Sequence, residues 1–138
     1  MKLHVLFAST LTVLLAAQPS FAGAAENWAG EYTDKNFLNG KAVFQVSIEQ
    51  QAKSIQVSFD GAYTDAHGAA PEGQGPAKVN RKGTLEFTFE DNFKNSGTGT
   101  ITRTGEEIVV SFQTNHVADA RCLAFYGQNM HLKRVVKK

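Results

Sequence analysis

The stretch Ala42-Val43-Phe44-Gln45-Val46-Ser47-Ile48-Glu49, followed beyond Gln50 to Lys53 by Ser54-Ile55-Gln56-Val57-Ser58-Phe59, decides the fold. Ala42, Phe44, Val46 and Ile48 fall on one side of an extended chain, and Gln45, Ser47 and Glu49 on the other. Ile55, Val57 and Phe59 alternate with Ser54, Gln56 and Ser58 in the same way. Side chains two apart share a face of a strand, so each row paves one side of a sheet. The short polar stretch between the rows makes them a β-hairpin.

The same pattern recurs downstream. Leu85, Phe87 and Phe89 alternate with Thr84, Glu86 and Thr88. Ile108, Val110 and Phe112 form another apolar row, and Leu123 with Phe125 forms one more. Asn39-Gly40, Lys82-Gly83, Asn95-Ser96-Gly97 and Thr104-Gly105 punctuate the rows with residues that accept positive φ at low cost. The segment Asp65 to Pro76, rich in Gly and Pro, reads as a loop or a broken edge strand. No amphipathic helix, internal repeat or second domain is visible. Closely spaced hairpins predict an all-β domain over residues 23–138, a single antiparallel up-and-down barrel of about eight strands.

The residues ahead of this domain carry an address. Lys2 and His4 precede an apolar run from Val5 to Ala17, and Gln18-Pro19-Ser20-Phe21-Ala22 follows. That is the order of a secretory signal peptide over residues 1–22, with Ser20 and Ala22 as the small residues at the cut. The run is too short to anchor a chain by spanning a bilayer. No Cys follows the cut, which disfavours a lipoprotein, and no later segment is apolar enough to span a membrane. The expected location is periplasmic or secreted, in a Gram-negative host.

Charge narrows the partners. The chain has 14 Lys and Arg against 13 Asp and Glu. Lys2 is the one charged residue that leaves with the signal, so the mature domain is neutral with its histidines uncharged. Such a domain has no general attraction to nucleic acid or anionic lipid. Lys133, Arg134, Lys137 and Lys138 form a basic tip suited to a solvated tail. Cys122 is the only cysteine, so no internal disulfide forms and packing must hold the fold. It lies in Arg121-Cys122-Leu123-Ala124-Phe125-Tyr126, which reads as a strand with a buried thiol.

The chain ends carry a resemblance. The mature start includes Trp28-Ala29-Gly30-Glu31-Tyr32, and the end reads His131-Leu132-Lys133-Arg134-Val135. This resembles the calycin superfamily, the barrels of lipocalins, fatty-acid-binding proteins and avidins. Those barrels open with a Gly-x-aromatic strand and close with a basic residue that packs across that aromatic. The resemblance implies the same contact between Tyr32 and Arg134 or Lys133, as a cation–π pair. The Asp that lipocalins carry after the first motif and their paired cysteines are missing here.

Catalytic signals are weak. His67 near Asp65 and His116 near Asp119 are two-ligand fragments, whereas zinc needs three or four ligands. No metal or cofactor is expected. Ser96, His116 and Asp119 could be written as a triad, but no Gly-x-Ser-x-Gly elbow supports it. Glu90-Asp91 and Glu106-Glu107 face opposite ways on a strand and are expected to serve turns and surface.

The expected function is therefore that of an exported, non-catalytic binding protein. In one reading it holds a small apolar ligand inside the barrel, gripped by Trp28, Tyr32, Phe44, Phe59, Phe87, Phe112 and Tyr126. In the other it is a module that binds an exported protein through loops, with His67, Asn92, Phe93 and Ser96 as contacts. Bacterial lysozyme inhibitors resemble this chain in size, compartment and β-richness, and they push a loop into the enzyme's cleft. Their cysteine framework and their Ser-Gly-x-x-Tyr-type loop are not present.

Overall fold

The computed structural model describes residues 27–136; the expected signal over residues 1–22 and the last two lysines lie outside the described residues. The strands are β1 (Gly30–Phe37), β2 (Ala42–Gln51), β3 (Ser54–Tyr63), β4 (Glu72–Val79), β5 (Leu85–Asp91), β6 (Ser96–Thr104), β7 (Glu107–His116) and β8 (Met130–Arg134). Each pairs antiparallel with the next, and β8 returns to β1 to close an up-and-down barrel. The fold class read from the sequence is the one observed.

The β2–β3 hairpin is in register from Ala42 opposite Tyr63 to Gln51 opposite Ser54. A register is strongly specified when one face must be buried, because a slip of one residue would turn the whole apolar row outward. Ala42, Phe44, Val46, Ile48, Val57 and Phe59 are all buried here. So are Leu85, Phe87, Phe89, Ile108, Val110 and Phe112.

The barrel interior is filled by rings. Phe44, Phe59, Phe87 and Phe89 all lie with centroids 5.1–5.7 Å from that of Phe112. Every one of those contacts with Phe112 is edge-to-face, the orientation the ring quadrupole favours, worth about 0.5–1.5 kcal/mol per pair beyond burial. The wall is shaped to admit them. Gly99 stands opposite Phe87 in the β5–β6 ladder, and a Cβ there would overlap the Phe87 ring.

Two expectations need correction. Residues 72–76 do not form a loop or a broken edge: Glu72–Val79 is a full strand paired with β3 and β5. Pro76 fits because the β4–β5 ladder skips from Gln74–Glu90 to Ala77–Phe87. The proline thus sits where no donor toward β5 is needed. The segment around Cys122 is not a strand but a 3₁₀ helix, Ala120–Phe125. Its repeat is three residues, so Cys122 and Phe125 share the buried face and Leu123 points outward at 39% exposure. Leu123 and Phe125 therefore do not form an inward row.

The connections divide between two ends. The tight turns β2–β3, β4–β5 and β6–β7 lie at one end with the chain's entry and exit. Loops 38–41, 64–71, 92–95 and 117–129 lie at the other.

Replacing Gly99 with Val is expected to destabilise the barrel by about 1–3 kcal/mol, the range for overpacking a core. In urea denaturation, Phe87→Leu introduced into the Gly99→Val background should recover part of that loss, while Phe87→Leu alone should be destabilising.

Candidate functional site

At the turn end, the expected aromatic–cation closure is present. The Arg134 guanidinium lies 5.5 Å from the Tyr32 ring centroid. Its Nη2 donates to the Tyr32 hydroxyl at 3.2 Å and to the carbonyl of Ala29 at 3.1 Å. Of the two basic residues the resemblance offers, Arg134 makes the contact. Trp28 is buried beside it, with Arg103 5.9 Å from its ring and its amide donating to Gln50 Oε1. Trp28 and Tyr32 thus seal the end opposite the long loops.

The loop end is built around the β5–β6 turn. Asp91 closes β5 with its side chain inward, 4% exposed. Its carboxylate accepts from the amides of Phe93 (2.8 Å) and Asn95 (2.9 Å), from Asn95 Nδ2 (2.8 Å) and from the Tyr126 hydroxyl. Asn95, fully buried, then accepts the amides of Ala118 and Asp119 on its own Oδ1. One buried pair therefore fixes the turn 92–95 to the connection 117–129. Asn92 does the same on the other flank. Its Oδ1 accepts the amide of Glu72 at 2.8 Å, and its Nδ2 donates to the carbonyl of Ala70.

Asp91 serves a turn as expected, capping the amides of Phe93 and Asn95, but it is buried, not on the surface, and forms the hub. Glu90 does point outward, within 3.8 Å of Lys94. The sequence signal for the hub was the spacing Asp91-x-x-x-Asn95 across a turn, which lets one acidic side chain cap the amides of its own loop. The second half, Ala118 and Asp119, lies more than twenty residues away and leaves no local trace.

The 3₁₀ helix starts on this scaffold. Asp119 caps it by accepting the Arg121 amide at 3.0 Å, and its carboxylate takes the Arg121 guanidinium through Nε and Nη2. The Arg121 hydrogen bonds hold the Asp119 carboxyl below its ordinary pKa. The Arg121 guanidinium also lies 5.8 Å from the half-buried Phe93 ring. Burial, reinforced by Asp91 and Asp119, pushes the Cys122 thiol up, away from thiolate chemistry. Burial and the bond to Asp91 likewise push the Tyr126 hydroxyl up, so it stays a proton donor.

The loop end thus gathers three of the four expected contact residues, Asn92 and Phe93 on the turn 92–95 and Ser96 at the start of β6. His67 stands on the adjacent loop, exposed, with its amide on Asp65 Oδ1 and its ring 3.7 Å from the same carboxylate. Phe44, Phe59, Phe87 and Phe112 lie in the interior, and Tyr126 lies beneath the loops. The triad on paper does not assemble: Ser96 pairs with His116 across a bulge, while Asp119 is committed to Arg121. Among the described residues no three His, Cys, Asp or Glu side chains gather as a metal set. Sequence reading missed Val117 and Leu123, which flank Arg121 along the chain and stand exposed at 44% and 39%.

A groove of about 630 Å³ runs along the outer face below these loops, lined by Ser58, Asp60, Glu72, Gln74, Glu90 and Asn92. Asp60 stands directly opposite Glu72 in the ladder. Partial desolvation at the groove first, and the Glu72 charge second, raise the carboxyl of the otherwise exposed Asp60 above its ordinary value.

Asn95→Ala leaves the part-buried amides of Ala118 and Asp119 without their acceptor, at about 0.5–1.5 kcal/mol for each hydrogen bond lost. Hydrogen exchange at those two amides should rise sharply, ahead of the strands. Glu72→Gln removes a like charge and should stabilise by a few tenths of a kcal/mol at pH 7. A raised folded-state pKa destabilises at pH above it and has no such effect below the unfolded value. The gain in melting temperature should therefore shrink as pH falls through the carboxylate range.

Searches against known protein families, curated proteins and solved structures find no match for this chain.

Proposed function

We propose that this chain is an exported, non-catalytic binding protein of calycin-like build. Its working surface is the loop end, and its partner is another protein of the periplasm or the extracellular space. The observation that carries this reading is the division of labour between interior and loop end. The barrel's own phenylalanine rings occupy the interior, in edge-to-face contact. The loop end instead displays Phe93, Arg121, Val117 and Leu123 on a backbone already fixed by Asp91, Asn92 and Asn95. Aromatic and Arg side chains held in place are the usual centres of binding energy at protein interfaces, because little entropy is lost in ordering them. Closure of the barrel supports the same view. Paired strands offer few free edges for a peptide strand to join, so recognition falls to side chains on loops. Calycin-like build rests on the Tyr32–Arg134 closure and on the up-and-down order of eight strands.

The other reading, a small apolar ligand inside the barrel, has one observation in its favour. The Phe125 and Tyr126 rings come from the connection 117–129 and not from a strand.

The test is capture of exported host proteins on immobilised protein, with a control at each end. Leu123→Asp should weaken the specific partner by at least roughly tenfold, the loss expected when a central apolar contact is replaced by a charge. Val79→Asp, on an exposed side chain at the turn end, should leave capture unchanged. A partner retained equally by both variants would place recognition elsewhere. Inhibition of a lysozyme by the protein, lost in Leu123→Asp, would identify the inhibitor version of this function.

A further inference from the structure

We propose that the connection 117–129 is a lid, and that the place its Tyr126 ring occupies is a cryptic binding site for an aromatic molecule carrying a hydroxyl group. This inference goes beyond the partner-binding reading and stands whether or not that reading holds.

Most rings of the interior are carried by hydrogen-bonded strands, and removing one would mean unravelling the barrel. Phe125 and Tyr126 are different. They sit in a stretch that no strand pairing covers, between the end of β7 at His116 and the start of β8 at Met130. Segments with few ladder bonds open at lower free energy than paired strands, and can do so as a unit.

The lid's own side chains show what the site accepts. The Tyr126 ring lies 5.7, 5.2 and 5.1 Å from Phe59, Phe89 and Phe112, an aromatic slot on three sides. Its hydroxyl reaches the buried Asp91 carboxylate. Phe125 fills the adjoining space against Phe37 and Tyr63, and the wall has been hollowed for it: a Cβ at Gly61 would overlap its ring. When the lid lifts, the slot keeps its aromatic walls and Asp91 loses a donor. A ligand that supplies both a ring and an O–H replaces what left. One that supplies only the ring leaves a buried carboxylate short of a hydrogen bond, which is penalised strongly.

The tethers are identifiable, and most are single hydrogen bonds. Asn95 Oδ1 holds Ala118 and Asp119, Tyr126 holds Asp91, the Gly127 carbonyl accepts the Phe112 amide at 3.0 Å, Gln128 donates to the Phe112 carbonyl, and the Asn129 amide donates to Ser111 Oγ at 2.9 Å. Weakening a tether raises the fraction of molecules with the lid open, and the apparent affinity of a ligand for the open form rises by the same factor. Such sites are minor conformations made dominant by what binds them, so exchange of the lid amides is the direct observable.

The experiment titrates the protein with 4-butylphenol and with butylbenzene, following heat and amide exchange. The expected result is binding of 4-butylphenol, with faster exchange over 117–129 and no change in β2, β3 and β5. Butylbenzene should bind at least roughly tenfold more weakly, the loss of one hydrogen bond to a charged group. Tyr126→Phe, which unties the lid from Asp91, should tighten 4-butylphenol by roughly tenfold. Phe125→Leu keeps that tie and loosens only the plug, so it should tighten the same probe even if Tyr126→Phe does not fold. The proposal is overturned by the absence of binding in the protein and both variants. Equal affinity for the two probes overturns it too, as does binding that leaves exchange over 117–129 unchanged or slowed.

Discussion

A barrel closed by antiparallel pairing has a fixed interior, and here that interior is filled by aromatic rings that must interlock. Everything else in the structure follows from fitting them. Phe112 contacts Phe44, Phe59, Phe87 and Phe89 at once, so four strands share one packing problem. Protein interiors are packed as densely as organic crystals, so a ring can be added only where the wall recedes. That is why Gly99 faces Phe87 and Gly61 faces Phe125. With no disulfide available to Cys122, this packing is the main source of stability.

The two ends solve the problem of stopping the barrel in different ways. At the turn end the plug is aromatic and the cover is cationic, with Arg134 over Tyr32 and Arg103 over Trp28. At the loop end the plug is again aromatic, but its anchor is a buried carboxylate. Asp91 is tolerated inside because four donors surround it, and every buried side-chain polar atom among the described residues has a partner. Burying a charge this way fixes geometry more than it adds stability. The geometry it fixes is that of the loops on which recognition is proposed to rest. Asn92 and Asn95, one on each flank of the same turn, carry that order outward to loops 64–71 and 117–129.

Rigid loops and a removable plug are compatible. The hub holds the turn 92–95 firmly through backbone amides of its own hairpin, while its grip on 117–129 runs through few bonds. A partner that docks on Leu123 and Arg121 touches the outer face of the segment whose inner face carries Phe125 and Tyr126. Occupation of either face therefore bears on the other, as any two equilibria that share one element must.

The meander of hairpins and the inward rows of β2, β3, β5 and β7 were legible in the sequence, because each depends on a period of two, while the Tyr32 closure, on Arg134 or Lys133, was what the calycin resemblance implied. Phe44, Phe59, Phe87 and Phe112 could be placed inside from alternation alone. Three things were decided only in three dimensions. The segment at Cys122 is apolar and β-like in composition, yet it becomes a 3₁₀ helix because Asp119 caps it and Asn95 holds its approach. Residues 72–76 look like a loop from their Gly and Pro content, yet they pair fully with β3, since a barrel must be closed by whatever chain is available. Asp91 looks like a surface residue and is buried, because its partners Tyr126 and Asn95 arrive from a turn and from a distant connection. Local pattern reports which face a residue prefers. Which groups meet across the barrel end depends on contacts far apart in the chain, and only the closed structure brings those together.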